Sequence, residues 1–201
     1  MEQLTHTQRI LDYARARGIV RSSELSKIGA PRIALTRLTA SGHLERIGRG
    51  LYRLPDGPAS ENEGLEAITR LAPKSVLCLL SALQFHELTT VLPREVWIAM
   101  PRGSHVPRLD FPPIRMVQFA GTAYSDGIEL HERGQLGIRV YGVAKTIADC
   151  FKYRHKIGLD VALEALKQAR QSRRVTVDAV WHSAQICRVT NVMRPYLEAL
   201  E

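Results

Sequence analysis

The sequence predicts an α+β protein, an N-terminal winged helix-turn-helix followed by a larger mixed helix/four-strand domain. Three observations lead there. Residues 1–54 read as three short helices and a hairpin, 55–60 are turn chemistry, and 61–201 read as two helices, four strands and four helices. The expected organisation is therefore a winged helix-turn-helix DNA-binding domain over 1–54, a linker over 55–60 and an α+β domain over 61–201.

In the first module, Ile10, Leu11 and Ala14 recur at helical spacing after Thr7, and Gly18 is a natural left-handed stop. Ile19-Val20 is a short extended link. Ser22 or Ser23 can cap a second helix carrying Leu25 and Ile28, closed by Gly29. Pro31 suits the first position of a third helix, Pro31 to Ser41, ended by Gly42. His43 to Ile47 and Leu51 to Leu54 are extended runs joined across Gly48-Arg49-Gly50, a hairpin with Arg49 at its tip.

On a helical wheel Pro31, Ala34, Leu35 and Leu38 share the inner face of the third helix. Ile33, Thr36, Arg37 and Ala40 lie opposite, with Arg32 at the margin. Arg can donate to guanine O6 and N7, Thr can bond a base edge or phosphate, and Ile can touch a thymine methyl. Arg46, Arg49 and Arg53 on the hairpin suit phosphate or minor-groove contacts. The candidate DNA-binding residues are thus Arg32, Ile33, Thr36, Arg37, Arg46, Arg49 and Arg53. The other reading of the same fold is a protein-docking platform. Charge bears on the choice: residues 1–54 hold ten Lys or Arg against four Asp or Glu, while the remainder holds eighteen against sixteen. That places most of the net +8 in the first quarter of the chain, the footprint of a phosphate-binding surface or of a solvated basic face.

In the second part, Glu61 to Leu71 reads as an amphipathic helix and Ser75 to Leu88 as a central, more apolar one. Val96 to Met100, Ile114 to Phe119, Gly127 to His131 and Gly137 to Tyr141 read as strands. Helices follow over Ala144 to Tyr153, Leu159 to Gln171, Thr176 to Cys187 and about Val192 to Leu200, with Pro195 expected in the first turn of the last.

Little catalytic chemistry is visible. Gly137 to Gly142 followed by Val143-Ala144-Lys145-Thr146 has a superficial likeness to a phosphate loop, but Val and Ala precede the Lys and the loop would be a strand. Cys150 and His155 lack a third partner, the seven histidines are scattered, and Asp149 reads as a member of an ion-pair network. Cys78, Cys150 and Cys187 are far apart in apolar contexts and read as buried thiols. No metal, cofactor or membrane span is expected, and the expected compartment is the cytoplasm. Arg102, His105, Arg108 and Arg115 form one basic cluster, and Lys152, Arg154, His155 and Lys156 with Lys167, Arg170, Arg173 and Arg174 another. Each is either an extension of a DNA footprint or a solvated face.

The chain resembles the AbiEi antitoxins of AbiE-type (type IV) toxin–antitoxin systems. The likeness runs through Arg46 to Tyr52, Val76 to Leu83, Glu95 to Ala99 and Ala144 to Arg154. It implies a winged helix that binds inverted repeats before its own operon and represses it. It also implies a second domain that counteracts a nucleotidyltransferase-like toxin, functionally and not necessarily by direct contact. The expectation is a non-enzymatic DNA-binding autorepressor, with double-stranded DNA and the toxin as partners. The helix from Ala144, with Lys145, Lys152 and Arg154 read as exposed cations, is the candidate antitoxicity surface. The alternative is a nuclease or nucleotide-modifying enzyme targeted by the winged helix, against which the lack of an acidic metal-binding cluster counts.

Overall fold

A computed structural model of the chain describes residues 5–55, 63–109, 111–133 and 136–199. The chain divides into two compact units, one of residues 1–73 with 107–112, the other of 74–106 with 113–201. The fold is mixed α+β with two separate sheets.

Unit 1 opens with α1 (His6–Arg17), whose first turn is capped by the Thr5 hydroxyl accepting from the Gln8 amide at 3.2 Å. Gly18 ends it at φ 71°, a conformation that costs a glycine little. β1 (Ile19–Arg21) follows, and the expected second helix is a 3-10 helix over Ser22–Ile28. There the Glu24 carboxylate accepts from the Arg21 amide at 3.0 Å, and Gly29 closes the turn in the left-handed region. α2 (Ile33–Ala40) is shorter than the span predicted, because Pro31 and Arg32 lie before its regular part. The hairpin is β2 (Glu45–Gly48) and β3 (Leu51–Arg53), and β1 joins it, giving the antiparallel order β1-β3-β2. Ile10, Ala14, Val20, Leu25, Leu35, Leu38 and Leu44 are the main residues of the core beneath α2.

The domain boundary differs from the one expected. Residues 56–60 of the linker lie outside the described residues. α3 (Glu63–Leu71), expected to open the second domain, packs in unit 1. Its Ala67 is buried with Ile19 and Leu51, and Ile47, Leu71 and Leu109 lie against them. Arg70 fastens it by donating to Glu66 at 2.9 Å and Glu24 at 3.2 Å. The physical reason is that β1 and β3 have two apolar faces, and the second needs cover. Segment 107–112 returns to the same unit, with Leu109 bridging Gly48.

Unit 2 holds a five-stranded mixed sheet, in place of the four strands expected. Its strands are β4 (Val76–Leu77), β5 (Val96–Pro101), β6 (Ile114–Phe119), β7 (Ile128–Arg133) and β8 (Leu136–Tyr141), in the order β6-β5-β4-β8-β7. The additional strand is β4, at the start of the helix expected over Ser75 to Leu88. Val76 and Leu77 pair antiparallel with Ala99 and Ile98, and Leu77 pairs parallel with Val140, so β4 is the centre of the sheet. The helix there is reduced to α4 (Leu79–Phe85). Helices α5 (Thr122–Ser125), α6 (Val143–Lys152), α7 (Arg154–Ile157), α8 (Leu159–Gln171), α9 (Val177–Cys187) and α10 (Thr190–Glu198) complete the unit. Pro195 lies inside α10, six residues in, beyond the first turn where it was expected. Residue 200 of that predicted helix lies outside the described residues.

α6 runs through the core of this unit. Lys145 to Phe151 are all buried, flanked by apolar side chains of α4, α8, α9 and α10. No helix among the described residues is long and apolar enough to cross a membrane.

Candidate nucleic-acid interface

α2 presents the division of faces its sequence demands. Ala34, Leu35 and Leu38 are buried, whereas Arg32, Ile33, Thr36 and Arg37 are exposed, Ile33 at 56%. Pro31, expected on the inner face, is exposed. Ile33 is a lone exposed apolar residue between Arg32 and Arg37, so the free face of α2 is mainly basic and polar. On the hairpin, Arg49 is exposed in the turn. Arg46 is also exposed, with its Nε donating to the Gly48 carbonyl at 3.1 Å. Arg53 differs: it is half-buried, and its guanidinium is paired with Glu45 at 2.9 Å, its cross-strand neighbour. Six of the seven candidates therefore present their side chains to solvent, and the seventh is engaged within the hairpin.

The candidate surface on α6 is corrected. Lys145 is 1% exposed, and its Nζ donates to Asp149 Oδ2 at 2.5 Å. The same ammonium lies 4.1 Å from the Tyr141 ring centroid and 4.7 Å from that of Phe119. Lys145 reads as exposed in the sequence because it is charged, but residues 145–151 of α6 are all buried, and the cation meets a carboxylate one turn along. Lys152 is exposed, with its Nζ 5.6 Å from the Phe119 centroid. Arg154 is half-buried in α7 and donates to the Phe151 carbonyl at 3.0 Å. The ion-pair reading of Asp149 holds, and its second oxygen accepts from Cys187 Sγ at 3.1 Å. Burial pushes the Asp149 carboxyl up from its ordinary range, with Lys145 opposing. All three thiols are buried and free; burial raises Cys78 and Cys150 well above the ordinary range and Cys187 to about 12, as expected of inert core thiols.

The first basic cluster divides between units: Arg108 belongs to unit 1, while Arg102, His105 and Arg115 belong to unit 2. Arg115 stacks 4.8 Å over Trp97 and pairs with Glu95 at 3.2 Å, which are local roles.

His86 is a buried imidazole whose Nε2–H donates to the Tyr141 carbonyl at 2.7 Å, an oxygen that also accepts from Thr146 Oγ1 at 2.9 Å. Burial lowers its pKa, and the bond to Tyr141 opposes this. The unfolded state then takes up a proton more readily than the folded one. This group's contribution to stability is present above the unfolded pKa of about 6.5 and is lost as pH falls below it towards the folded value. His86→Gln keeps a donor without the titration. We expect the thermal midpoint of wild type to drop more than that of His86→Gln between about pH 8 and about pH 5.5, and equal pH dependence would refute the assignment.

A feature the sequence reading did not assemble is a cleft of about 400 Å³ in unit 2, formed where α6 and α9 begin. The sequence marks Arg173 and Arg174 as charges and Gly142 as the end of a glycine-bounded run, but nothing in it joins them to Glu129 and Ser183, which separate elements bring to the same cleft.

Residues 8–55, which carry all but the first two residues of α1, with α2, the hairpin and all seven candidate DNA contacts, match the family model described as "Transcriptional regulator, AbiEi antitoxin". This region is AbiEi-type. The match spans the N-terminal part of the chain, and the motifs Val76 to Leu83, Glu95 to Ala99 and Ala144 to Arg154 lie beyond it. No curated protein sequence matches the chain. Among solved structures, the crystal structure of the RV2827C protein from Mycobacterium tuberculosis superposes with a TM-score of 0.57 at 13% identity, covering 100% of this chain and 82% of that one. At that identity the likeness concerns the fold, and it extends over the AbiEi-type region and unit 2 alike.

Proposed function

We propose that this protein is a DNA-binding antitoxin that represses transcription of its own toxin–antitoxin operon. The observation that carries the reading is the exposed Arg32-Ile33-Thr36-Arg37 face of α2, lying within the residues matched by an AbiEi antitoxin regulator family. In this reading unit 1 is a winged helix-turn-helix. α2 enters a major groove, where Arg37 and Thr36 read base edges and Ile33 meets a thymine methyl. The hairpin is the wing, with Arg49 and Arg46 at the phosphates. Arg53 serves the wing by bracing it against Glu45.

Its operator would be inverted repeats upstream of the operon, so that two copies present two reading helices to two half-sites. Unit 2 has no enzymatic role in this scheme. It opposes a nucleotidyltransferase-like toxin, with Lys152 and Arg154 as the cations still available on the α6–α7 surface. Such charges would steer an acidic protein face or the toxin's nucleic-acid substrate.

The test is a fluorescence-anisotropy titration of the full chain against its own upstream duplex and a scrambled duplex at several salt concentrations. Specific binding should exceed the scrambled control by at least about a thousandfold, and log K should fall linearly with log salt. Equal affinity for the two duplexes would remove the operator reading.

A further inference from the structure

The cleft between the starts of α6 and α9 has the chemistry of an oxyanion receptor, and we propose that it binds the phosphate group of a small phosphate monoester. α6 begins after Gly142, which has no side chain to cap it, and the first bond into the helix is from the Thr146 amide to the Gly142 carbonyl at 2.9 Å. The amides of Val143, Ala144 and Lys145 have no acceptor among the described residues. Donors of this kind, at the positive end of a helix, favour an anion. Across the cleft α9 begins after Thr176, whose hydroxyl takes the Ala179 amide at 3.2 Å. Arg173 and Arg174 lead into it; Arg174 donates to the His86 carbonyl, while the Arg173 side chain is exposed and bonds to no described residue.

The independent observation is Ser183. It is 4% exposed, it lines the cleft, and its hydroxyl has no hydrogen-bond partner among the described residues. The small part of the residue left open includes its hydroxyl, which a bound oxygen in the cleft can accept from. The volume, about 400 Å³, suits a small molecule.

Glu129 decides which oxyanion. Its carboxylate lines the same cleft beside Gly142, and its Oε2 accepts from His131 Nε2 at 2.8 Å. A carboxylate at that place repels an anion that has no proton to offer. It accepts a hydrogen bond from one that does. Monohydrogen phosphate and singly protonated phosphate monoesters carry a P–OH; sulfate and internal phosphodiesters do not. The cleft therefore selects an oxyanion that keeps a P–OH, monohydrogen phosphate or a phosphate monoester in its singly protonated form, over the backbone of a nucleic acid.

The experiment is a ¹H–¹⁵N NMR titration of the full chain with inorganic phosphate at constant ionic strength, beside sulfate and a dinucleotide that lacks a terminal phosphate. Phosphate should shift the amides of Val143, Ala144 and Lys145, whereas sulfate and the dinucleotide should leave them in place. Arg173→Gly should weaken phosphate at least about tenfold. This variant removes the guanidinium at a residue whose φ of 55° already suits glycine, so folding is not at risk. Ser183→Ala should weaken it in the same direction, and Glu129→Gln should let sulfate in. The proposal fails if phosphate leaves the three amides unmoved, if sulfate matches phosphate in the wild-type protein, or if Arg173→Gly binds phosphate unchanged. Because the readout is local to these amides, anions that collect on the arginines of unit 1 do not enter it.

Discussion

Asp149→Ala is expected to cost about 3–5 kcal/mol of stability, because it leaves a buried ammonium without its carboxylate. Lys145 and Asp149 are both buried, and their 2.5 Å contact is the cation's principal charge partner. Without the carboxylate the ammonium retains the faces of Tyr141 and Phe119, which offset only part of its lost hydration. Cys187 would also lose the oxygen its thiol donates to. The double replacement Lys145→Met with Asp149→Leu removes the pair and fills the space with apolar volume, and should be far milder than the single change. Urea denaturation of wild type, single and double variants reads this directly. If the double variant is as destabilised as Asp149→Ala, the loss comes from packing and not from an orphaned charge.

Arg37→Ala should cost about 1–3 kcal/mol of operator binding and relax sequence preference at one or two base pairs, if Arg37 reads a guanine edge. Arg49→Ala should instead weaken binding to operator and scrambled duplex alike and lower the salt slope by about one, as expected of a phosphate contact. The contrast follows from placement, one arginine on the free face of α2 and the other in the hairpin turn. Wild-type affinity from the two variants would mean that α2 does not enter a groove.

The N-terminal unit was legible because its signals are local. Helical spacing of Ile10 and Ala14, glycine stops at Gly18 and Gly29, and the turn at Arg49-Gly50 each act within a few residues, and all appear in the structure. What failed depended on neighbours distant in sequence. Val76-Leu77 has the composition of either a buried helix or a buried strand, and its pairing with residues 98–99 and 140 decided the matter. Lys145 reads as exposed because a cation is ordinarily solvated, and sequence alone does not show that both faces of α6 are covered. The boundary expected near residue 60 falls after residue 73 for a similar reason: turn-forming composition does not say which core the next helix joins, and Ala67 of α3 is buried with Ile19 and Leu51. Glu45, which occupies Arg53, is a cross-strand partner and so depends on a register that composition does not fix.

Segment 107–112 also imposes an order on synthesis. The chain leaves unit 1 after residue 73, builds β4, α4 and β5 of unit 2, and then returns to unit 1 with Leu109 before β6 is made. At about 5–20 residues per second on the ribosome, unit 1 waits a few seconds for its last segment. During that interval the apolar surface that Leu109 covers beside Ile47 is open, and β5 has yet to receive its parallel partner. Neither unit is finished by the time the other has begun. A chain truncated between residues 101 and 107 would therefore lack Leu109 in one unit and the parallel partner of β5 in the other, and is expected to be poorly soluble.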